Sequence, residues 1–161
     1  VPVAVALGAN QGDAARTLRS TVAVLRHLLD SVRVAPLYRT RPHAPAPQPP
    51  YLNSAVVGVT RRRPEELLAA LKLLELRAGR RAGARHEPRV LDLDLLLYGD
   101  RSSSAPELVL PHPGLRLRRF VLEPLAQLVP DLRVPPDGAR VAELLAAVGQ
   151  EGEVERIGWE A

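Results

Sequence analysis

Residues 85–99 read RHEPRVLDLDLLLYG. The part from Val90 to Tyr98 is rich in leucine on its central faces, as an interior β-strand is. Yet it carries two acids, Asp92 and Asp94, two residues apart. Strand side chains alternate with period two, so both carboxylates point to one face. Like charges that close disfavour each other's ionised form unless something positive lies between them. A purely structural strand has no use for such a pair. Hard oxygen ligands suit Mg²⁺, which binds through one or two carboxylates plus substrate phosphates. Two carboxylates on one face can share or bridge two ions. No HExxH or paired-histidine spacing accompanies them, which favours magnesium over zinc.

Phosphate calls for basic partners, and they flank the acids. Arg80, Arg81, Arg85 and Arg89 lie upstream, and Arg116, Arg118 and Arg119 downstream. The net charge is +4, and Lys72 is the only lysine. Arginine forks match phosphate oxygens, so an enzyme for phosphorylated substrates is one reading and a nucleic-acid binder another. His112, between Pro111 and Pro113, reads as a histidine held in a rigid turn, within reach of a phosphate or a leaving group. Neither GxxxxGK[ST] nor GxGxxG is present; GANQG at 8–12 reads as a glycine-bearing turn.

Aromatic residues are few. Tyr51 and Phe120 fall outside any obvious core period and come from different segments, so together they could sandwich a flat ligand by offset stacking. Asn53 shares the strand face of Tyr51, and its amide has the donors and acceptor that a heterocycle edge requires.

The 161 residues suit one domain, taken as 1–161. With 46% apolar and 25% charged residues the chain is of ordinary globular composition. It has no apolar stretch of membrane-spanning length. VPVAVALG at the start reads as a strand rather than a signal peptide. Cysteine is absent, which excludes disulfides, thiolate metal sites and a cysteine nucleophile. A cytoplasmic protein is expected.

The elements follow in order. Residues 3–7 predict a central strand, ending in a turn cluster at 8–13. Asp13 caps a helix reaching about Leu29, with Leu18, Val22, Leu25 and Leu29 on its apolar face. Residues 31–38 predict one strand. The five prolines of 39–50 exclude helix and inner strand. Residues 51–60 predict a strand, and Pro64 opens a helix to about Ala78 with Gly79 as its C-cap. Residues 80–88 form a basic loop, 90–98 the acid-bearing strand, 108–111 a short extended piece, 116–128 helical turns and 139–148 a last helix. The final residues add an edge strand or lie loose. Strand, helix, strand, strand, helix, strand with a helical tail is an α+β arrangement: a ferredoxin-like plait whose antiparallel sheet is packed by helices, with extra C-terminal helical elements.

Several motifs, in order along the chain, carry a specific resemblance. They are LGAN at 7–10, YRTRP at 38–42 and QPPYLN at 48–53, then Glu75 with Gly79 and Arg80, then PRVLDLDL at 88–95, PHP at 111–113 and RRFVLEPL at 118–125. The sequence resembles the 6-hydroxymethyl-7,8-dihydropterin pyrophosphokinases of folate biosynthesis. The resemblance implies that Asp92 and Asp94 ligate two Mg²⁺ ions between ATP, the co-substrate, and the pterin hydroxymethyl group. It implies that Tyr51 and Phe120 stack on the pterin ring, and that Asn53, with the backbone around Thr40 and Pro42, reads the ring's polar edge. Glu75, Arg80, Arg89, His112 and Arg118 would line the ATP and phosphate side. The family often has a second loop arginine two residues after the first; here Arg81 follows Arg80 directly. The implied partners are small molecules, ATP and a reduced pterin, with no nucleic acid, membrane or obligate protein partner. The rival readings are another Mg²⁺-dependent phosphotransferase on a related plait, and an RNA-binding plait.

Overall fold

The computed structural model describes residues 1–40, 49–79, 90–149 and 154–159. Strand β1 (Pro2–Ala9) leads into helix α1 (Ala14–Leu28). Asp13 Oδ1 accepts the backbone N–H of Arg16 at 3.1 Å, the predicted N-cap. Then come β2 (Asp30–Val34), β3 (Leu37–Thr40) and β4 (Tyr51–Val59). Helix α2 (Pro64–Arg77) opens on its proline and carries Glu65 and Glu66 in its first turn, where acids meet the positive end of the helix dipole. Its C-cap is Ala78; Gly79 is one place further on, in the left-handed conformation (φ 103°) that glycine adopts without penalty.

Strand β5 (Asp92–Tyr98) is followed by the small β6 (Ser103–Ala105) and β7 (Leu108–Leu110) hairpin. The chain continues through α3 (Arg119–Leu128), β8 (Arg133–Val134), β9 (Ala139–Arg140), α4 (Val141–Ala147) and β10 (Val154–Ile157). The extended piece expected at 108–111 is β7, but the pairing of neither two-stranded hairpin was legible, because two or three residues leave no alternation to read.

The main sheet runs β10-β3-β4-β1-β5, with β2 also on β4, and its pairs are antiparallel. Taking β2 and β3 together as one interrupted strand gives the plait order. β1 is central, as expected. The segment 31–38 is not one strand. Pro36 has no N–H to give a ladder, so the run breaks at Ala35–Pro36 into two strands along the same edge of β4. The acid-bearing β5 is not interior to the sheet either. It ends the hydrogen-bonded order, and it looks interior in sequence because helices and loops bury both its faces.

Two cores sandwich the sheet. On one face Val3, Val5, Leu7 and Ala9 of β1 meet Leu18 and Leu25 of α1 and Leu67 and Leu71 of α2. On the other, Ala4 and Ala6 meet Val121, Leu122 and Leu125 of α3 and Val141 of α4. In β5, Leu93 and Leu95 belong to the first face and Leu96 and Leu97 to the second. A bulge allows this: Ala4 pairs with Leu97 and Val5 with Leu95, leaving Leu96 as an extra residue. Among the described residues no helix is long and apolar enough to cross a membrane.

Candidate active site

The site face follows from the sheet register. Tyr38 of β3 pairs with Asn53 of β4, Asn53 with Gly8 of β1, and Gly8 with Asp92 of β5. Residues directly opposite in antiparallel strands share a face, so these four form one rung across four strands. The next rung is Ala55, Ala6 and Asp94. Both acids therefore lie on the α3 side, opposite Leu91, Leu93 and Leu95, with only small residues beside them on β1. Both are half-buried. A carboxylate pair next to strand positions that bear little or no side chain has room for a group bound above it.

Gly8 is part of this arrangement and not of a turn, as its sequence neighbours suggested. A Cβ at that position would come within 3.0 Å of Asn53 Oδ1. Asn53 is buried, and its Nδ2 donates to Thr40 Oγ1 at 2.8 Å. The amide is thus held with its nitrogen toward β3 and its oxygen over Gly8. Tyr51 is half-buried, on the same face of β4, and pairs in register with Thr40. Tyr38 is buried at the end of the rung. Burial raises its hydroxyl pKa, nearby Arg156 offsets part of that rise, and Glu123 adds to it.

His112 comes to the acids from the turn after β7. Its backbone N–H donates to the Leu96 carbonyl at 2.9 Å, which docks the turn on the outer edge of β5. Its ring Nδ1 accepts the N–H of Gly114 at 3.0 Å, and Nε2 lies 3.4 Å from Asp94 Oδ1. An Nδ1 used as acceptor puts the ring proton on Nε2, facing the carboxylate.

Helix α3 covers the face, and the chain enters it through Arg118 and Phe120. Phe120 is 37% exposed. The Arg118 guanidinium lies 5.9 Å from the centre of the Phe120 ring. The same guanidinium lies close across Gly114, where a Cβ would meet it at 2.9 Å. The other two arginines of that cluster are engaged elsewhere. Arg116 binds Asp137, and Arg119 binds Glu123 at 2.9 Å.

Glu75, expected on the nucleotide side, reaches the acid-bearing strand from α2. It is only 6% exposed, and its Oε2 accepts the N–H of Leu93 at 2.8 Å. That amide lies between the two acids in sequence and points to the outer edge of β5. Arg80, Arg81, Arg89 and Pro42 lie outside the described residues.

Asn10 was missed as a site-shaping residue. It is buried, and its Nδ2 donates to the Pro49 carbonyl at 3.3 Å, tying the end of β1 to the chain just ahead of Tyr51. Small residues recur at 4, 6 and 8 on one face of a strand whose other face is larger, but the turn residues after Gly8 hide that it is still strand. Among the described residues no group of three or more His, Asp or Glu stands ready to hold a metal. Two carboxylates that complete their shell with phosphate oxygens and water are a donor set that fits Mg²⁺.

Comparison with known proteins gives the family. The family model for 7,8-dihydro-6-hydroxymethylpterin-pyrophosphokinase (HPPK) matches residues 4–130. The chain is 42% identical over 157 residues to 2-amino-4-hydroxy-6-hydroxymethyldihydropteridine pyrophosphokinase of Pseudomonas aeruginosa, covering 96% of each chain. It is 42% identical over 128 residues to a mitochondrial folate synthesis bifunctional protein of Arabidopsis thaliana, covering 79% of this chain and 23% of that one. Among solved structures, wild-type Plasmodium falciparum HPPK-DHPS shares the fold with a TM-score of 0.68 at 13% identity, over 90% of this chain and 43% of that one. The chain thus spans under half the length of that solved relative but nearly all of the bacterial one. The family-model match and the sequence likeness together show it: the chain belongs to the 7,8-dihydro-6-hydroxymethylpterin-pyrophosphokinase family.

Proposed function

We propose that this chain, as one domain acting in the cytoplasm, transfers the pyrophosphoryl group of ATP to the hydroxymethyl oxygen of 6-hydroxymethyl-7,8-dihydropterin. The hydroxymethyl oxygen forms a bond to the β-phosphorus and gives up its proton to solvent, the bond from that phosphorus to the α,β-bridging oxygen breaks, and AMP leaves. The observation that supports this most is the shared rung: a polar amide at Asn53 and an acid at Asp92, separated by the bare backbone of Gly8. A flat heterocycle edge and a phosphate chain can meet over that gap.

Asn53, oriented by Thr40, reads the polar edge of the ring, together with the backbone near Pro42. Tyr51 and Phe120 stack on its faces. Asp92 and Asp94 would hold two Mg²⁺ ions, which when bound neutralise phosphate charge and make the attacking alcohol more acidic. His112 offers its Nε2–H to phosphate oxygen, and Arg118 leaves Phe120 to meet nucleotide charge. Arg80, Arg81 and Arg89 supply the remaining positive charge. The protein's contribution is alignment and charge neutralisation. Glu75 acts at one remove, holding the Leu93 amide and so the strand that presents both acids.

The test is to incubate the protein with ATP, Mg²⁺ and the reduced hydroxymethylpterin. AMP and the pterin diphosphate should appear in equal amounts. ADP in place of AMP would mean a different phosphotransferase, and no turnover would refute the assignment.

A further inference from the structure

Segment 154–159 lies beyond residues 4–130, the span that matches the family. Its strand β10 pairs with β3 along the whole length of β3: Leu37 with Ile157, Tyr38 with Arg156, Arg39 with Glu155 and Thr40 with Val154. Without β10, β3 would be an edge strand of four residues directly after the Pro36 break. A strand of four residues has few ladder hydrogen bonds of its own to hold it. Yet β3 ends at Thr40, whose hydroxyl orients the Asn53 amide.

The segment is itself pinned at the break. The Trp159 indole Nε1 donates to the Ala35 carbonyl at 2.9 Å, and that carbonyl also accepts from Ser54 Oγ at 3.0 Å. Arg19 on α1 reaches across to the Trp159 carbonyl, Nη1 to oxygen 2.8 Å. Ile157 and Trp159 pack against the α1 side of the core. One short segment thus ties three things together: helix α1, the broken strand, and the residue that sets the Asn53 amide.

We propose that segment 154–159, locked by Trp159 and Arg19, is a positioning element for pterin recognition. It holds β3 in register so that Thr40 presents Asn53 with its donor and acceptor the right way round. The inference rests on the pterin assignment made above. Trp159 and Arg19 touch no proposed ligand group; they act through β3.

Two variants test it. Arg19→Ala alters an exposed side chain and leaves the core intact; Trp159→Phe keeps an aromatic ring and removes the N–H. The reduced pterin is titrated calorimetrically into each protein already holding a non-hydrolysable ATP analogue and Mg²⁺. The analogue is titrated separately. A hydrogen bond typically contributes enough that each variant should weaken pterin binding about two- to tenfold, with nucleotide affinity unchanged. A role in stability alone would lower Tm and leave that selectivity untouched. Pterin affinity unchanged in both variants, or falling in step with nucleotide affinity, overturns the proposal. Turnover by the parent protein is measured alongside. Its absence overturns the pterin assignment and this inference together, whereas normal turnover with unmoved pterin affinity overturns this inference alone.

Discussion

Asp92 and Asp94 are like charges on one face of a strand, and His112 Nε2 lies 3.4 Å from Asp94 Oδ1. Replacing either acid with Ala should abolish turnover and leave the fold. Circular dichroism and an AMP assay read the two halves of this outcome; ordinary turnover at ordinary Mg²⁺ would refute the metal-binding role. Gly8 makes the complementary case, since what it contributes is the lack of a side chain. A methyl group there meets Asn53 Oδ1 at 3.0 Å, so the amide must shift. Gly8→Ala should therefore weaken pterin binding several-fold, on the order of 1 kcal/mol for one displaced hydrogen bond, with nucleotide binding retained; paired calorimetric titrations check it. The acids were legible because they break the expectation for a leucine-rich strand. Gly8 was not, because the turn-forming residues after it, Asn10 to Asp13, make it look like the start of a loop when it is still strand.

Elements show how side chains repair what the backbone leaves open. Glu75 on α2 satisfies the outward N–H of Leu93, and with it fixes β5 against the helix. Glu75→Leu should cost about 1–3 kcal/mol of stability by stranding a buried donor, and lower kcat as well, because the same amide separates the two acids. Glu75→Gln keeps an acceptor and should recover most of both; urea unfolding and steady-state kinetics distinguish the pair. The β8–β9 hairpin is held by charge. The Arg116 guanidinium, and after it the Ala139 N–H, hold the Asp137 carboxyl below its ordinary pKa. A carboxyl whose folded pKa is depressed adds stability that is fully present above the unfolded pKa and disappears as pH falls through the folded one. The Tm gap between the parent and Asp137→Asn should thus be widest near neutrality and close as pH falls through and below the ordinary carboxylate range. Melting curves across that range test it; a gap that grows toward acid would refute the sign. The sequence disclosed the two large helices through their 3.6-residue period and their proline and Asp starts. It concealed the break at Pro36, because Val34 and Leu37 on either side continue a plausible strand.

At the scale of the molecule the sheet separates two cores with different duties. One packs α1 and α2; the other packs α3, which carries Phe120 and Arg118 over the acids. Leu71→Ala and Leu122→Ala remove side chains that are each fully buried, and each should cost about 2–5 kcal/mol of stability. Only Leu122→Ala should also weaken pterin binding, since only its helix bears a stacking residue. Denaturant titration gives the first quantity and ligand titration the second; equal binding losses would show that the two faces are not independent. The plait was readable from the order of elements, but the place of β5 at the end of the sheet was not. Hydrophobic runs report burial of faces, and they are silent on which neighbour takes each backbone hydrogen bond. That placement bears on how the protein behaves in a crowd. A terminal strand with bare amides and carbonyls is a template on which a second copy can add its own strand. Along β5 the Leu93 amide is already taken by Glu75 and the Leu96 carbonyl by the His112 amide. The contacts that aim the acids and the histidine also block the strand's outer edge, so the geometry that prepares the site for phosphate makes the same edge a poor nucleus for aggregation.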